Sequence, residues 1–502
     1  MNDILKQLPH ELLSLSHQLT ADLPQAEVYL AGGAVRDLLL ERPTKDYDLV
    51  VRGVPADKLE NWLERQGKVN LVGKTFGVFK WQPSSWPYED IDVALPRTEH
   101  TLSHSGEYRD FNVQSDPNLP IEQDLQRRDF TINALALNLA TGELLDSGGG
   151  EADIRAKIIR TVGKAEERLQ EDSSRVLRAL RLACQLDFTI DKNTWLAITA
   201  ASELVAVGKI NHNWLVPREI IAREFLKSLI ATPVKTLDLY SDSGLLKHLL
   251  PEIEALKNTP QPEIFHSEGD VYEHTKLALE GLSSPDWHHY FGPSKPSLNV
   301  FLGLVLHDIG KPLTLETPET HGVDRIRTHN HEIVGRDLAR HLIEQLRLTS
   351  YVDNDYGQIN SDQVAWLVEK HLLLAHGQVA EFKPSTIHRY FLADEDKGQE
   401  LLQVIFADIY ATRPSDGRNL LLGLDELLRR IKELKKSLPP EGLKLLLGGQ
   451  EIMTEFDLRP GPKIGQLLEA LKEAQLEKRV TTREEAIKYL KEKQNEFLIT
   501  NS

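Results

Sequence analysis

The chain has one cysteine and two methionines in 502 residues, and no apolar run long enough to cross a bilayer. A single cysteine excludes an intramolecular disulfide and a cysteine-rich zinc site, so Cys184, inside an apolar helical run, reads as a small core residue. Positive charge is also short. Lys and Arg number 59 against 76 Asp and Glu, a net charge of −17, which excludes a uniformly basic nucleic-acid binder and leaves only a local basic track for that role. The first residues, MNDILKQLPHELLSLSHQL, have helical periodicity with interspersed charge and lack the basic-then-apolar order of a signal peptide. A cytoplasmic setting and no membrane partner are therefore expected. With 40% hydrophobic and 27% charged residues the composition is that of a globular protein, long enough for several domains.

What is present centres on residues 28–51, VYLAGGAVRDLLLERPTKDYDLVV. Val28 to Leu30 reads as a strand, Gly32-Gly33 as a tight turn that lets a phosphate approach the backbone, and Ala34 to Glu41 as a helix. The next strand is expected to carry Asp46 and Asp48, whose carboxylates, two apart, share a face. Phosphates beside paired carboxylates point to metal-assisted phosphoryl transfer with a hard cation such as Mg²⁺. Pro55 to Gly67 reads as a helix, residues 69–82 as strands around Thr75-Phe76-Gly77, and Tyr88 to Ala94 as a strand with Asp90 and Asp92 on one face. The polar stretch His100 to Pro120 reads as a mobile loop. In DLQRRDFTINA, residues 124–134, the adjacent arginines suit bidentate binding of a triphosphate, while Asp129 and Asn133 are expected to share a helix face and brace the site. Glu171 to Leu186 reads as one helix with Asp172, Arg175, Arg178 and Arg181 at three-residue steps along a drifting face.

The ordered set G-G-x-x-R-D, D-x-D, R-R-D-F-T-x-N-A and E-D-x-x-R resembles the class II CCA-adding tRNA nucleotidyltransferases and the bacterial poly(A) polymerases, over almost the whole chain after residue 26. The resemblance implies an α+β fold: a nucleotidyltransferase head with a small mixed β-sheet, then all-α neck, body, HD and tail domains. The expected bounds are 1–26 for a helical extension, 27–163 for the head, 164–257 for neck and body, 258–418 for the HD domain and 419–502 for an RNA-binding tail. It further implies that Asp46 and Asp48 hold two Mg²⁺ ions and that a third carboxylate, Asp92 with Asp90 as the alternative, helps deprotonate an RNA 3′-hydroxyl. Gly33, Arg36 and Arg128 would hold triphosphate and sugar. Asp172 and Arg175 would read the base, with Arg178 and Arg181 nearer the phosphates or in support. An Asp accepting from the exocyclic amine of cytosine or adenine, beside an Arg donating to the ring, imitates a Watson–Crick edge, so CTP and ATP are the expected substrates and tRNA the partner. Residues 144–159 resemble the family's following glycine-rich turn and helix, with Ser147 where proline is usual.

Beyond the Pro-containing boundary at residues 258–262, His274, His307-Asp308, His331, His371 and Asp408 follow the order of an HD-type metal-dependent phosphohydrolase, with His329 and His376 as lower-ranked ligands. Mixed imidazoles and carboxylates favour a transition metal, Ni²⁺ or Mn²⁺, over Mg²⁺ alone. A helical scaffold that retains the signature is the alternative. In the tail, the turn Arg459 to Gly465 and Lys463 within it are read as RNA contacts. Two readings stay open beside full CCA addition: CC-only, A-only or poly(A) addition, and a phosphohydrolase or phosphodiesterase whose head binds RNA.

Overall fold

The computed structural model describes residues 4–71, 78–101, 111–210, 213–374, 379–439 and 442–499. Thr75-Phe76-Gly77, the middle of the stretch from His100 to Pro120, and His376 lie outside them. The chain divides into two units, Met1–Pro251 and Glu252–Ser502.

The first unit is built on a mixed sheet. In β1 (Glu27–Ala31) Val28, Tyr29, Leu30 and Ala31 are all buried, the pattern of a strand covered on both faces. It lies centrally, antiparallel to β2 (Asp48–Arg52). Outward from β2 come β5 (Ile91–Ala94), β4 (Val78–Pro83) and β3 (Gly67–Leu71), and on the other side β8 (Leu135–Asn138) and β9 (Leu144–Asp146). Within this sheet only the β2–β5 pairing is parallel, among the described residues; the short pair Ile158–Ile159 with Thr189–Ile190, outside it, is parallel as well. The helices are α1 (His10–Asp22), α2 (Gly33–Leu39), α3 (Ala56–Gln66), α4 (Ile121–Gln126), α5 (Gly150–Ala156), α6 (Ala165–Glu171), α7 (Ser174–Leu186), α8 (Lys192–Val207), α9 (Arg218–Ala231), α10 (Pro233–Asp242) and α11 (Leu245–Leu249). Leu59, Trp62 and Leu63 bury the apolar stripe of α3, with Trp62 5.8 Å from Trp81 of β4 and its indole N–H donating to Asp22 of α1. At the head of α5, Asp146 accepts from the Gly150 and Glu151 amides, which explains why Ser147 in place of proline leaves the turn intact.

Three local expectations need correction. Part of the stretch read as a loop belongs to an antiparallel ribbon, β6 (Arg97–Thr101) with β7 (Phe111–Ser115); Phe111-Asn112-Val113-Gln114 alternates in the strand period, a signal hidden by its polar flanks. The segment after residue 171 is not one helix: Asp172 is extended, and its carboxylate accepts from the Ser174 amide. Asp-Ser-Ser offers side-chain acceptors that compete with the helical ladder, so α6 ends and α7 begins there. Asp129 and Asn133 do not share an α-helical face either, since Phe130 is extended and Thr131 to Asn133 is a 3₁₀ turn.

The second unit is helical apart from two short ribbons among the described residues. The helix Leu298–Leu306 (LNVFLGLVL) is buried nearly all round, with the helices Val271–Gly281, Ser361–Lys370 and Glu395–Ala411 against it. The last three helices, Gly449–Glu455, Pro462–Leu476 and Arg483–Ile499, enclose a small core of their own around Leu467, Leu471 and Leu490.

Candidate active site

The first unit holds a cleft of about 880 Å³ whose lining includes Asp46, Asp48 and Asp92, the Gly32-Gly33 turn, Arg36, Arg128 and the arginines of α7. The parallel register of β2 and β5 sets Asp48 directly beside Asp92. Asp90 precedes β5 and lines only the adjoining recess. Asp46 also precedes its strand, contrary to the sequence expectation: the ladder with β1 ends at the pair Ala31–Asp48, where β1 turns away at Gly32, so Asp46 stands on the irregular chain that leads into β2. The Asp48 side chain reaches the cleft, yet the protein packed around it raises its carboxyl above the usual range; Arg128 opposes this, while Asp92 and Asp46 add to it. Clustered carboxylates, with an Asp92 oxygen that is buried without a hydrogen bond and 3.6 Å from the Lys80 ammonium, form an all-oxygen donor set that fits a hard divalent cation.

Arg128 lies over the glycine turn. The φ of +76° at Gly32 requires glycine there, and a Cβ, 2.7 Å from the Arg128 guanidinium, would also push that group aside. Arg36 donates to the Asn133 side chain at 2.8 Å and to Asp37. Arg127 and Arg128 both reach the buried Asp124.

Along α7 each arginine is held by a carboxylate. Arg175 donates to Glu171 at 2.6 Å, Arg178 to Asp129 at 2.6 and 2.8 Å, and Arg181 to Glu224 of α9 at 2.5 Å. Asp129 is buried, which alone would raise its carboxyl, but the Arg178 charge and hydrogen bonds hold it down at about 2. A carboxyl depressed on folding contributes stability above its unfolded pKa and loses it as the pH falls through the folded value, so about 2 kcal/mol should be present above pH ~4 and vanish through pH ~2. Thermal unfolding of Asp129→Asn is expected to fall well below the wild type at pH 7, with the gap closing towards pH 2; a gap that persisted unchanged into acid would contradict the pairing.

In the second unit all six sequence candidates converge. Ligand atoms of His274, His307 and Asp408 lie within 4.8 Å of one another, as do those of Asp308, His331 and His371. Asp308 joins the groups: its Oδ2 is 3.2 Å from His307 Nε2 and its Oδ1 3.2 Å from His331 Nε2. His307, His331 and His371 each donate Nδ1–H to a backbone carbonyl, of Leu304, Thr328 and Val368. That fixes the tautomer with a lone pair on Nε2, and these three buried Nε2 atoms have no hydrogen-bond partner. Inward-facing imidazole lone pairs beside carboxylates fit a divalent transition metal. His329 is exposed and belongs to neither group.

Comparison with known proteins finds a matching domain in each unit. The poly A polymerase head domain matches residues 28–160 and the HD domain residues 272–413. A multifunctional CCA protein of Halorhodospira halophila is 33% identical over 370 residues, covering 73% of this chain and 78% of the relative, and that of Xanthomonas euvesicatoria is 36% identical over 366 residues, covering 72% and 78%. The chain belongs to the multifunctional CCA protein family. Its α+β fold is shared with the Bacillus stearothermophilus CCA-adding enzyme in complex with CTP (TM-score 0.64, 21% identity, covering 100% of both chains). The Thermotoga maritima CCA-adding enzyme complexed with tRNA is also similar (TM-score 0.59, 20% identity, 98% of both).

This CCA-family chain also uses residues that its motifs did not reveal. Glu268 is buried and lies 2.8 Å from Nδ1 of both His266 and His274, which orients the His274 ring with Nε2 towards Asp408 at 2.9 Å. Burial opposes its charge, but the two imidazoles hold the Glu268 carboxyl at about 2. The spacing His266-Ser267-Glu268 just ahead of His274 was the only available signal. Lys311 of the His-Asp-Ile-Gly-Lys run places its ammonium 2.6 Å from Asp308 and donates to Gln261. On α9, Arg223, Glu224 and Lys227 line the first cleft, although the sequence shows only interspersed charge there.

Proposed function

We propose that this protein adds CCA to the 3′ end of tRNA without a nucleic-acid template, taking CTP and ATP in turn. The observation that carries the reading is the in-register pair Asp48 and Asp92, opening with Asp46 onto a cleft also lined by Asp172 and Arg175. Two Mg²⁺ ions held by Asp46 and Asp48 would neutralise charge on the triphosphate and ease deprotonation of the RNA 3′-hydroxyl. Asp92 assists that deprotonation; the hydroxyl attacks the α-phosphate in line, the bond to the bridging oxygen breaks, and pyrophosphate leaves. Gly33, Arg36 and Arg128 position the triphosphate and sugar. Asp172 and Arg175 select the base from the junction of α6 and α7, while Arg178 and Arg181, each tied to a carboxylate, brace them. Catalysis is mostly positioning and charge neutralisation. Lys463, in the first turn of the helix Pro462–Leu476 and without a hydrogen-bond or ion-pair partner among the described residues, is read as a tRNA backbone contact. The family membership and the curated relatives' shared name support the reading, and with it a cytoplasmic setting; no described helix is long and apolar enough to cross a membrane.

A second activity rests on the orphaned Nε2 atoms around Asp308: a phosphohydrolase or phosphodiesterase using a transition metal such as Ni²⁺ or Mn²⁺ held by His274, His307, Asp308, His331, His371 and Asp408. The metal would supply an activated water; the protein's part is to fix each ligand's tautomer and orientation.

Extension of tRNA transcripts ending before CCA, after C and after CC, with CTP, ATP, both or neither, tests the main reading. Growth by CCA followed by a stop is expected. CC alone or A alone would assign a specialised enzyme, long A tails a poly(A) polymerase, and no addition would overturn the reading.

A further inference from the structure

The cleft wall formed by α9 carries a cation for which the reaction above has no use. Among the cations that line the cleft, Lys227 alone lacks a hydrogen-bond or ion-pair partner among the described residues. It stands one turn from Arg223 on α9, and both lie on the face turned to Arg181 of α7. The carboxylate one turn before it is occupied. Glu224 is buried and spends one oxygen on Arg181 and the other on Arg223. Lys227 is itself only partly exposed, and burial together with the neighbouring Arg181 and Arg223 charges lowers its ammonium from the ordinary range, while Glu224 and Asp46 act in the opposite sense. A partly desolvated charge with two like charges nearby and no ion-pair partner among the described residues costs free energy in the empty protein. That cost is recovered only when an anion enters.

We propose that Lys227 is an anion-binding residue of the cleft, whose ammonium receives a phosphate oxygen of the incoming nucleotide or of the RNA 3′ end. The proposal rests on the CCA-adding reading and adds a subsite to it. The triphosphate already has Arg36 and Arg128 on the glycine-turn side of the carboxylates; Lys227 reaches the field of Asp46 from α9, so a phosphate held there would be gripped from two elements, and the compact ammonium suits a point contact to one oxygen. Because both substrates carry phosphate, the two sources are separated by measurement.

The test uses the full-length chain with Lys227→Met, which keeps the aliphatic stem and removes the charge, and Lys227→Arg, which restores it. Addition kinetics are measured with CTP and ATP varied, and tRNA affinity is measured against salt. For a nucleotide phosphate, Lys227→Met is expected to raise KM for both nucleotides about tenfold with tRNA affinity unchanged, since one charge-assisted contact has that order of effect. For an RNA phosphate, tRNA affinity is expected to fall by a similar factor, and the slope of log affinity against log salt to drop by about one. Lys227→Arg should recover most of either loss. Thermal unfolding of Lys227→Met should match or exceed the wild type, because a strained cation has been removed. Unchanged KM values and tRNA affinity, a fall in kcat alone, or a lowered unfolding temperature would each overturn the proposal. Failure of the wild type to extend tRNA at all would instead overturn the CCA-adding reading on which it rests.

Discussion

Replacing Asp48 by asparagine is expected to lower nucleotide addition by roughly a thousandfold or more while leaving tRNA affinity within about a factor of two. The size follows from the role: loss of a carboxylate that fixes a divalent cation removes several kcal/mol of charge stabilisation from the transition state, and about 4 kcal/mol corresponds to a thousandfold. Asparagine keeps the shape and the place in β2 beside Asp92, so the sheet should survive. The structure also predicts an opposite effect on stability. In the metal-free protein the packing around Asp48, which is itself open to the cleft, and the like charges of Asp92 and Asp46 raise its carboxyl against the pull of Arg128, so its ionised form is disfavoured by folding. Sign follows directly: a raised carboxyl pKa means the folded state binds the proton more tightly than the unfolded one, and stability is lost as the pH rises through that interval. At pH 7 without divalent cations, Asp48→Asn should therefore unfold at a temperature equal to or above that of the wild type; with Mg²⁺ the wild type should gain and the variant should not. Rapid-quench extension assays, tRNA binding and thermal unfolding check the three parts. Turnover retained at near the wild-type rate would remove Asp48 from the chemistry.

The elements of the first cleft were legible where residue type and period agree. Val28 to Leu30 reads as a strand, Gly32-Gly33 as a tight turn, and the three-residue steps Arg175, Arg178 and Arg181 as one helical face, because each is fixed by local geometry. What escaped depends on partners distant in the chain. The extended Asp172 was hidden because Asp-Ser-Ser tolerates a helix by propensity, and its break is decided by a side-chain bond to the backbone. Asp92 over Asp90 could not be settled from alternation, which puts both on one face; it is the register with Asp48, 44 positions away by number, that separates them. Glu224 and Lys227 look in sequence like the wet side of α9, and only packing against α7 shows that one is buried between two arginines and the other has no ion-pair partner among the described residues. Glu268 is the same lesson in the second unit: a carboxylate in an aperiodic segment acquires its meaning from His274, six residues on, and from the Arg413 amide.

Asp308→Asn should empty the second unit of transition metal and abolish any phosphohydrolase activity there, while CCA addition proceeds at the wild-type rate. Asp308 carries this weight because its two oxygens serve two groups of ligands, Oδ2 towards His307 and Oδ1 towards His331 and His371. An amide offers one weak oxygen in place of two charged ones, so the change removes a ligand from both groups at once. Outer-sphere partners of metal-bound histidines cost roughly 10- to 100-fold in metal affinity when lost, and a shared carboxylate should cost more than that. The substitution also strips Lys311 of the carboxylate 2.6 Å from its ammonium, leaving only the Gln261 contact, and a buried charge left without its partner is commonly worth about 3 to 5 kcal/mol. Misfolding therefore has to be separated from metal loss, and His331→Gln does so, because it touches one group only and leaves Lys311 paired. Its metal content, measured after dialysis against a weak chelator, should fall without collapse of the unfolding temperature. Wild-type metal content in both variants would return the six residues to the role of a helical scaffold, whereas loss of metal together with loss of CCA addition would mean that the second unit supports the first and is not an independent catalyst.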